Sequence, residues 1–181
     1  MTTISKGYDA CHTSNIVCNI VLQQTETMFG NLGKDAIETI LRHQIIGHLA
    51  CHANDTTYVV PISYAYENGC IYAHAEEGMK ISMMRGNPKV CFEVYRMENM
   101  GNWQCVIGWG EYEEITDSTE RLAALKILLK RDLPIITSKT VQLTTEWPFV
   151  PEDLNTIKGI VFRIKLTNKT GRYERTDEIR Y

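Results

Sequence analysis

The sequence predicts a mainly β domain, an antiparallel barrel or sandwich carrying three helices. Three observations predict it. About six runs rich in Val, Ile, Tyr, Phe and Thr follow one another between 46 and 167, with turn signals between them, the pattern of hairpin-connected strands. Three other stretches carry helical spacing or helix start and stop residues. The chain has 181 residues, 44% hydrophobic and 23% charged, which suits one domain with a sizeable core and excludes a disordered chain.

The elements follow in order. Residues 1–30 read as an irregular extension, with Tyr8, His12 and Met28 scattered among polar residues. A first helix is expected over 33–44, because Ile37, Ile40, Leu41 and Gln44 keep the i, i+3, i+4, i+7 rhythm. Strands are expected at 46–53, 57–66 and 70–75. Glu67-Asn68-Gly69 is the turn before the third, since Asn-Gly supplies the positive φ angles of a tight hairpin. A short helix over 77–85 ends at Gly86 and Pro88. Strands at 89–95 and 103–115 follow, the second with Gly108 and Gly110 inside it, a sign of a bulge or close backbone approach. Asp117-x-x-Glu120 starts a third helix, with Leu122, Leu125, Leu128 and Leu129 as its buried stripe. A long connection over 132–156 holds three of the five prolines. The last strand is expected at 159–167, and 169–181 reads as a polar tail. The domain itself spans 31–168.

Composition limits the function. A net charge of −3 with 19 basic residues gives no excess for nucleic acid. No apolar run approaches a membrane span. The apolar stretch 16–22 is broken by Asn19 and preceded by Asp9, so it reads as mature, cytoplasmic chain rather than a leader. Six cysteines contain no Cys-x-x-Cys pair, so they read as buried thiols.

Four segments could carry chemistry. In Tyr58-Val59-Val60-Pro61-Ile62-Ser63-Tyr64 the proline interrupts a strand and frees backbone groups for the polar edge of a planar ligand; an ordinary edge strand is the alternative. Tyr72-Ala73-His74-Ala75 runs through Glu76, Glu77 and Gly78 into a helix at Met79 and Lys80. A helix N-terminus with a lysine attracts phosphate, although Glu76 and Glu77 oppose it; a solvated surface lysine is the alternative. His48-x-x-Cys51-His52 lies in a strand, which puts the two histidines on one face about 13 Å apart. That is too far for one metal, and no metal is expected. Glu146-Trp147-Pro148-Phe149 could cover a ligand or the domain's own core.

In their order and spacing, His48-Leu49-Ala50-Cys51, Val59-Val60-Pro61-Ile62-Ser63-Tyr64-Ala65-Tyr66, Ile71-Tyr72-Ala73-His74-Ala75 with Gly78 and Lys80, and Asn87-Pro88-Lys89-Val90-Cys91-Phe92 resemble a known family. It is the pyridoxamine 5′-phosphate oxidase-like FMN-binding split barrels, and within them the nitroimidazole-resistance proteins. The resemblance implies a six-stranded antiparallel split β-barrel with flanking helices, forming a homodimer with flavin at the interface. It implies that Val60, Pro61, Ile62, Ser63 and Tyr64 line the isoalloxazine and ribityl chain. His74 and Ala75 would lie near them, Met79 and Lys80 at the phosphate, and Trp147 over the flavin or substrate. FMN is the implied cofactor, with FAD a possibility. The vitamin oxidases of the wider family carry extra basic residues in the strand matching Val59 to Tyr64; this chain has none there, so oxidation of pyridoxamine phosphate is not expected.

The expected function is an FMN-dependent oxidoreductase that passes electrons to a small aromatic acceptor such as a nitroimidazole. His74 is the candidate proton donor, with Tyr64 and Tyr72 behind it. Two alternatives remain open: a flavin sensor or store without turnover, and a haem-binding split barrel with His48, His52 or His74 as axial ligand.

Overall fold

Six strands close on themselves. The computed structural model describes residues 28–131 and 153–176. Its elements are β1 (Met28–Asn31), α1 (Lys34–His43), β2 (Ile46–Ala53), β3 (Thr56–Glu67), β4 (Cys70–Ala75), α2 (Met79–Gly86), β5 (Lys89–Asn99), β6 (Asn102–Glu114), α3 (Ser118–Leu129), a 3-10 turn (Leu154–Thr156) and β7 (Ile160–Arg175). The sheet order is β1-β7-β4-β3-β2-β5-β6, and β6 also pairs with β7, which closes the ring. All pairings are antiparallel.

Turn chemistry sets the hairpins. Asn54 and Asp55 both have positive φ, at 49° and 57°, and join β2 to β3; Asn68 at 51° and Gly69 at 79° join β3 to β4. Consecutive positive φ values match the strand twist of a two-residue hairpin. Alternation then sorts the faces. On β3, Val60, Ile62, Tyr64 and Tyr66 turn into the barrel, whereas Val59, Pro61, Ser63 and Ala65 turn out. Inside, Tyr64 meets Phe92 edge to face, centroids 4.9 Å apart.

Helices plug the two ends. α1 buries Ile37, Ile40 and Leu41 near the end of β3, where Tyr64 Oη donates to Leu41 O at 3.0 Å. α2 buries Ile81, Met83 and Met84 near the start of β3. Asn87 Nδ2 fixes α2 by donating to His52 O at 2.8 Å. Each fully buried Leu, Ile or Met contributes about 1.5–3 kcal/mol. α3 packs outside the barrel, where Ala124, Leu125 and Leu128 form a second core with Ala65, Ile157 and Val161. In the expected stripe, Leu122 and Leu129 are only half-buried, and Ala124 takes the inner place.

The glycines of β6 act as expected. The β6–β7 register shifts between Trp109 and Gly110, and a Cβ on Gly110 would lie 2.5 Å from Lys165 O.

Two expected boundaries are corrected. The end of the expected irregular extension, Met28 to Gly30, belongs to a strand, Met28–Asn31, against β7. The tail expected from 169 is strand as far as Arg175, paired with β6 on one side and β1 on the other. Backbone ladder rather than apolar composition extends it, and Gly171 lets it pack against Leu32 and Ile37. No helix among the described residues is long and apolar enough to cross a membrane.

Candidate functional site

The start of α2 is open and carries no acidic residue. Gly78, the cap residue, provides no side-chain hydrogen bond, and no acidic residue lies in the first turn. The first intrahelical bond is Ser82 N to Gly78 O at 3.1 Å, so the N–H groups before it have no partner within the helix. A Cβ on Gly78 would meet no atom within 4 Å, which leaves the approach open. The opposing carboxylate is drawn aside: Arg85 Nη1 donates to Glu77 Oε1 at 2.8 Å while its other nitrogens hold Glu114. Lys80 has no ion-pair partner among the described residues. Its charge reaches the buried Cys51 thiol, where it works against the upward push of burial. Met79 is exposed beside it.

β3 has no β4 partner before Tyr64, which pairs with Ala73; α2 packs on β2 there, with Met83 Sδ 4.0 Å from Cys51 Sγ, and Cys51 is the register partner of Tyr58 on β3. The side chains of Ile62, Tyr64 and Ala75 are buried in the core and Val60 packs against it. Their side chains are therefore closed to a ligand, and with Tyr64 N bonded to Ile45 O the antiparallel alternation turns the backbone groups of Val59, Pro61 and Ser63, not theirs, away from β2. Pro61 and Val59 face outward and are exposed. Ser63 is engaged from behind. Arg131, at the end of α3, donates from Nη1 to Ser63 Oγ at 2.5 Å and to Tyr64 O at 3.2 Å, and from Nε to Leu128 O at 2.6 Å. Burial brings the Arg131 guanidinium down to about 10. Sequence reasoning missed Arg131, because nothing in the chain links it to a strand so far away.

His74 faces outward on β4, toward the second core. Its Nε2 lies 2.5 Å from Lys158 O, so that nitrogen carries a proton and donates it. Burial holds the ring below the usual histidine range, against the raising effect of that hydrogen bond. Gly159, at φ 93°, makes the contact possible; a Cβ there would lie 2.7 Å from His74 Nε2. Only Nδ1 is left for other partners. Trp147 lies outside the described residues.

The outward faces of β3, β2, β5 and β6 form an apolar plate. Val59 is 57% exposed, Ile46 45%, Tyr95 47%, Met97 60% and Trp109 42%. Within it His48, which pairs with Pro61 across β2–β3, lies 3.4 Å from Glu93 through Nδ1. An acid-free helix start with a lysine, a stretch of β3 without a β4 partner and an apolar plate occur on one barrel, features that a planar ring carrying a phosphate could use. Among the described residues no group of three His, Cys, Asp or Glu side chains could hold a metal.

A closed six-stranded antiparallel barrel with a helix start at its outer edge defines the split-barrel class of ligand-binding folds. The family model described as pyridoxamine 5′-phosphate oxidase matches residues 33–172, and the chain belongs to that family. An uncharacterized protein of Rhizobium meliloti (strain 1021) is 33% identical over 90 residues, which span 48% of this chain and 60% of that relative. Among solved structures, an FAD-binding protein from Mesorhizobium loti superposes with a TM-score of 0.63 at 29% identity, over 81% of this chain and 98% of that one. A protein from Bacteroides thetaiotaomicron, assigned to 5-nitroimidazole antibiotic resistance, gives 0.62 at 22% identity, over 84% and 93%. The flavocytochrome Anf3 of Azotobacter vinelandii gives 0.60 at 15% identity, over 81% and 71%; that likeness is one of fold.

Proposed function

We propose that this chain is a flavin-dependent oxidoreductase that holds FMN between two copies of itself and passes electrons to a small aromatic acceptor such as a nitroimidazole. The observation that carries the proposal is the open, acid-free start of α2, with Lys80 in its first turn and its charge felt at Cys51, the register partner of Tyr58 on β3. Met79, Lys80 and the free N–H groups would hold the phosphate. Backbone groups from Val60 to Tyr64 would meet the polar edge of the ring, and Ala75 would pack near it. Bound flavin supplies the two-electron chemistry, while the protein orients it and shields it from water. The FAD-binding neighbour supports a flavin and leaves room for the larger dinucleotide as the natural ligand. Cys51, Cys70, Cys91 and Cys105 are free thiols, which suits the reducing cytoplasm.

The test is a visible absorption spectrum after incubation with FMN or FAD and desalting. Retained flavin bands support the cradle, and a haem Soret band in the purified protein would replace it. Lys80→Ala is expected to weaken FMN binding tenfold or more, the loss of one charge-assisted contact, with an unchanged melting temperature. Equal FMN affinity in that variant would remove Lys80 from the phosphate site. Steady turnover of a reduced nicotinamide with a 5-nitroimidazole separates an enzyme from a flavin store.

A further inference from the structure

His48 has a role that the phosphate-and-ring reading leaves unused. Its Nδ1 is shut off from solvent and makes no hydrogen bond. Glu93 Oε2 lies 3.4 Å from it, and the imidazole stacks parallel to Tyr95, centroids 6.1 Å apart and planes 2° apart. Yet 36% of the side chain is exposed, so the open part of the ring is the part away from Nδ1. Glu93 is itself held: Cys105 Sγ donates to Oε1 at 3.5 Å. Burial, and then the charge of Glu93, push the Cys105 thiol up to about 11, so it stays protonated and keeps donating.

Three adjacent strands thus contribute one chain of groups, Cys105 to Glu93 to His48. A carboxylate beside one ring nitrogen favours the tautomer with the proton on that nitrogen, and it favours the imidazolium when the ring charges. Here that leaves Nε2 as the nitrogen free to exchange protons. Its position decides what it can serve. His48 is the register partner of Pro61, so it stands on the apolar plate directly beside the strand assigned to the ring. His74, by contrast, spends Nε2 on Lys158 O.

We propose that His48, oriented by Glu93, is the acid–base residue of the flavin face. The proposal rests on the flavin reading above. Bound reduced flavin would supply two electrons and one proton to the nitro group; the second proton would come from His48, whose imidazolium Nε2–H bond breaks as an acceptor oxygen takes the proton, and the N–O bond to that oxygen then breaks to leave a nitroso group and water. The ring keeps its other proton on Nδ1, toward Glu93, and water returns a proton to Nε2. Other titratable groups on this face are Tyr95, Cys91 and Lys89 of β5, Glu111 of β6 and His52 further along β2; β3 opposite presents Pro61 and Val59, which do not titrate.

Imidazole nitrogen NMR of the full chain tests the geometry without turnover. In the wild type the neutral His48 ring is expected to carry its proton on Nδ1, and Glu93→Gln shifts it toward the Nε2–H form. Adding FMN, with binding read from its absorption band, moves the His48 Nε2 resonance. A second measurement uses His48→Gln loaded with FMN and reduced with dithionite. Its single-turnover rate with a 5-nitroimidazole should fall about a hundredfold or more, the scale of general acid catalysis, and its pH profile should differ from that of the wild type. FMN affinity should change by less than about threefold, because the phosphate end carries the binding. If FMN binds and the His48 resonances do not move, or if His48→Gln keeps the wild-type pH profile, the proposal falls and the flavin reading stands. If the wild type binds neither FMN nor FAD, both fall. Should His48→Gln fail to fold, the wild-type and Glu93→Gln spectra still decide.

Discussion

A single carboxylate starts α3. Asp117 Oδ1 accepts the N–H groups of both Thr119 and Glu120 at 2.9 Å. Asp117→Ala is expected to cost about 1 kcal/mol, a fall of roughly 2–4 °C in melting temperature for a chain of this size. Asp117→Asn should keep most of that. His74 makes a different kind of residue-scale prediction. Its folded pKa lies below 6.5, chiefly because it is buried. The unfolded chain therefore binds a proton near pH 6.5 that the folded chain refuses. Stability from this site is complete above 6.5 and is lost as pH falls toward the folded value. Urea midpoints measured at about pH 7.5 and 5.5 should drop for the wild type and drop less for His74→Gln. Equal slopes would show that the buried ring titrates as it does in water.

Elements differ in how openly the sequence announces them. β2 and β4 begin and end where alternation and the Asn68-Gly69 turn place them, because one face of each is core. β7 is legible only as far as its apolar half. Beyond Leu166 it carries Asn168, Lys169, Arg172 and Arg175, and its strand character comes from pairing with β6 and β1, which are remote in sequence. The site divides the same way. Pro61, Gly78 and Lys80 are local signals, readable from a strand break and a helix start. Arg131 on Ser63, Lys158 on His74 and Glu93 beside His48 are products of barrel closure, and no local pattern encodes them. Gly171 tests the account of β7. A Cβ there would lie 2.8 Å from Leu32 Cβ and 2.9 Å from Ile37 Cγ1. Gly171→Ala should destabilise by about 1–3 kcal/mol through overpacking, read from the urea midpoint. A neutral substitution would mean that α1 and β1 yield at no cost.

At the scale of the whole molecule, the described residues leave one apolar face uncovered. Outward residues of four adjacent strands, Val59, Ile46, Tyr95, Met97 and Trp109, are exposed together, whereas α3 shields the outward Ala65 and Val161 of β3 and β7. A contiguous apolar plate of this kind marks an association surface. Pro61 lies on the same outward face, as the register partner of His48, so a second copy seated on the plate would also enclose the proposed ring site. Dimerisation and flavin binding should then be lost together. Trp109→Glu places a charge at the register partner of Cys91, in the middle of the plate. Light scattering should show the mass fall from twice 20.7 kDa to 20.7 kDa, with FMN affinity down about tenfold or more, since half of the enclosing surface goes with the partner. Lys80→Ala offers the contrast, because it should lose FMN and remain a dimer. A wild-type monomer that binds FMN normally would separate the two properties and confine the ligand to one barrel.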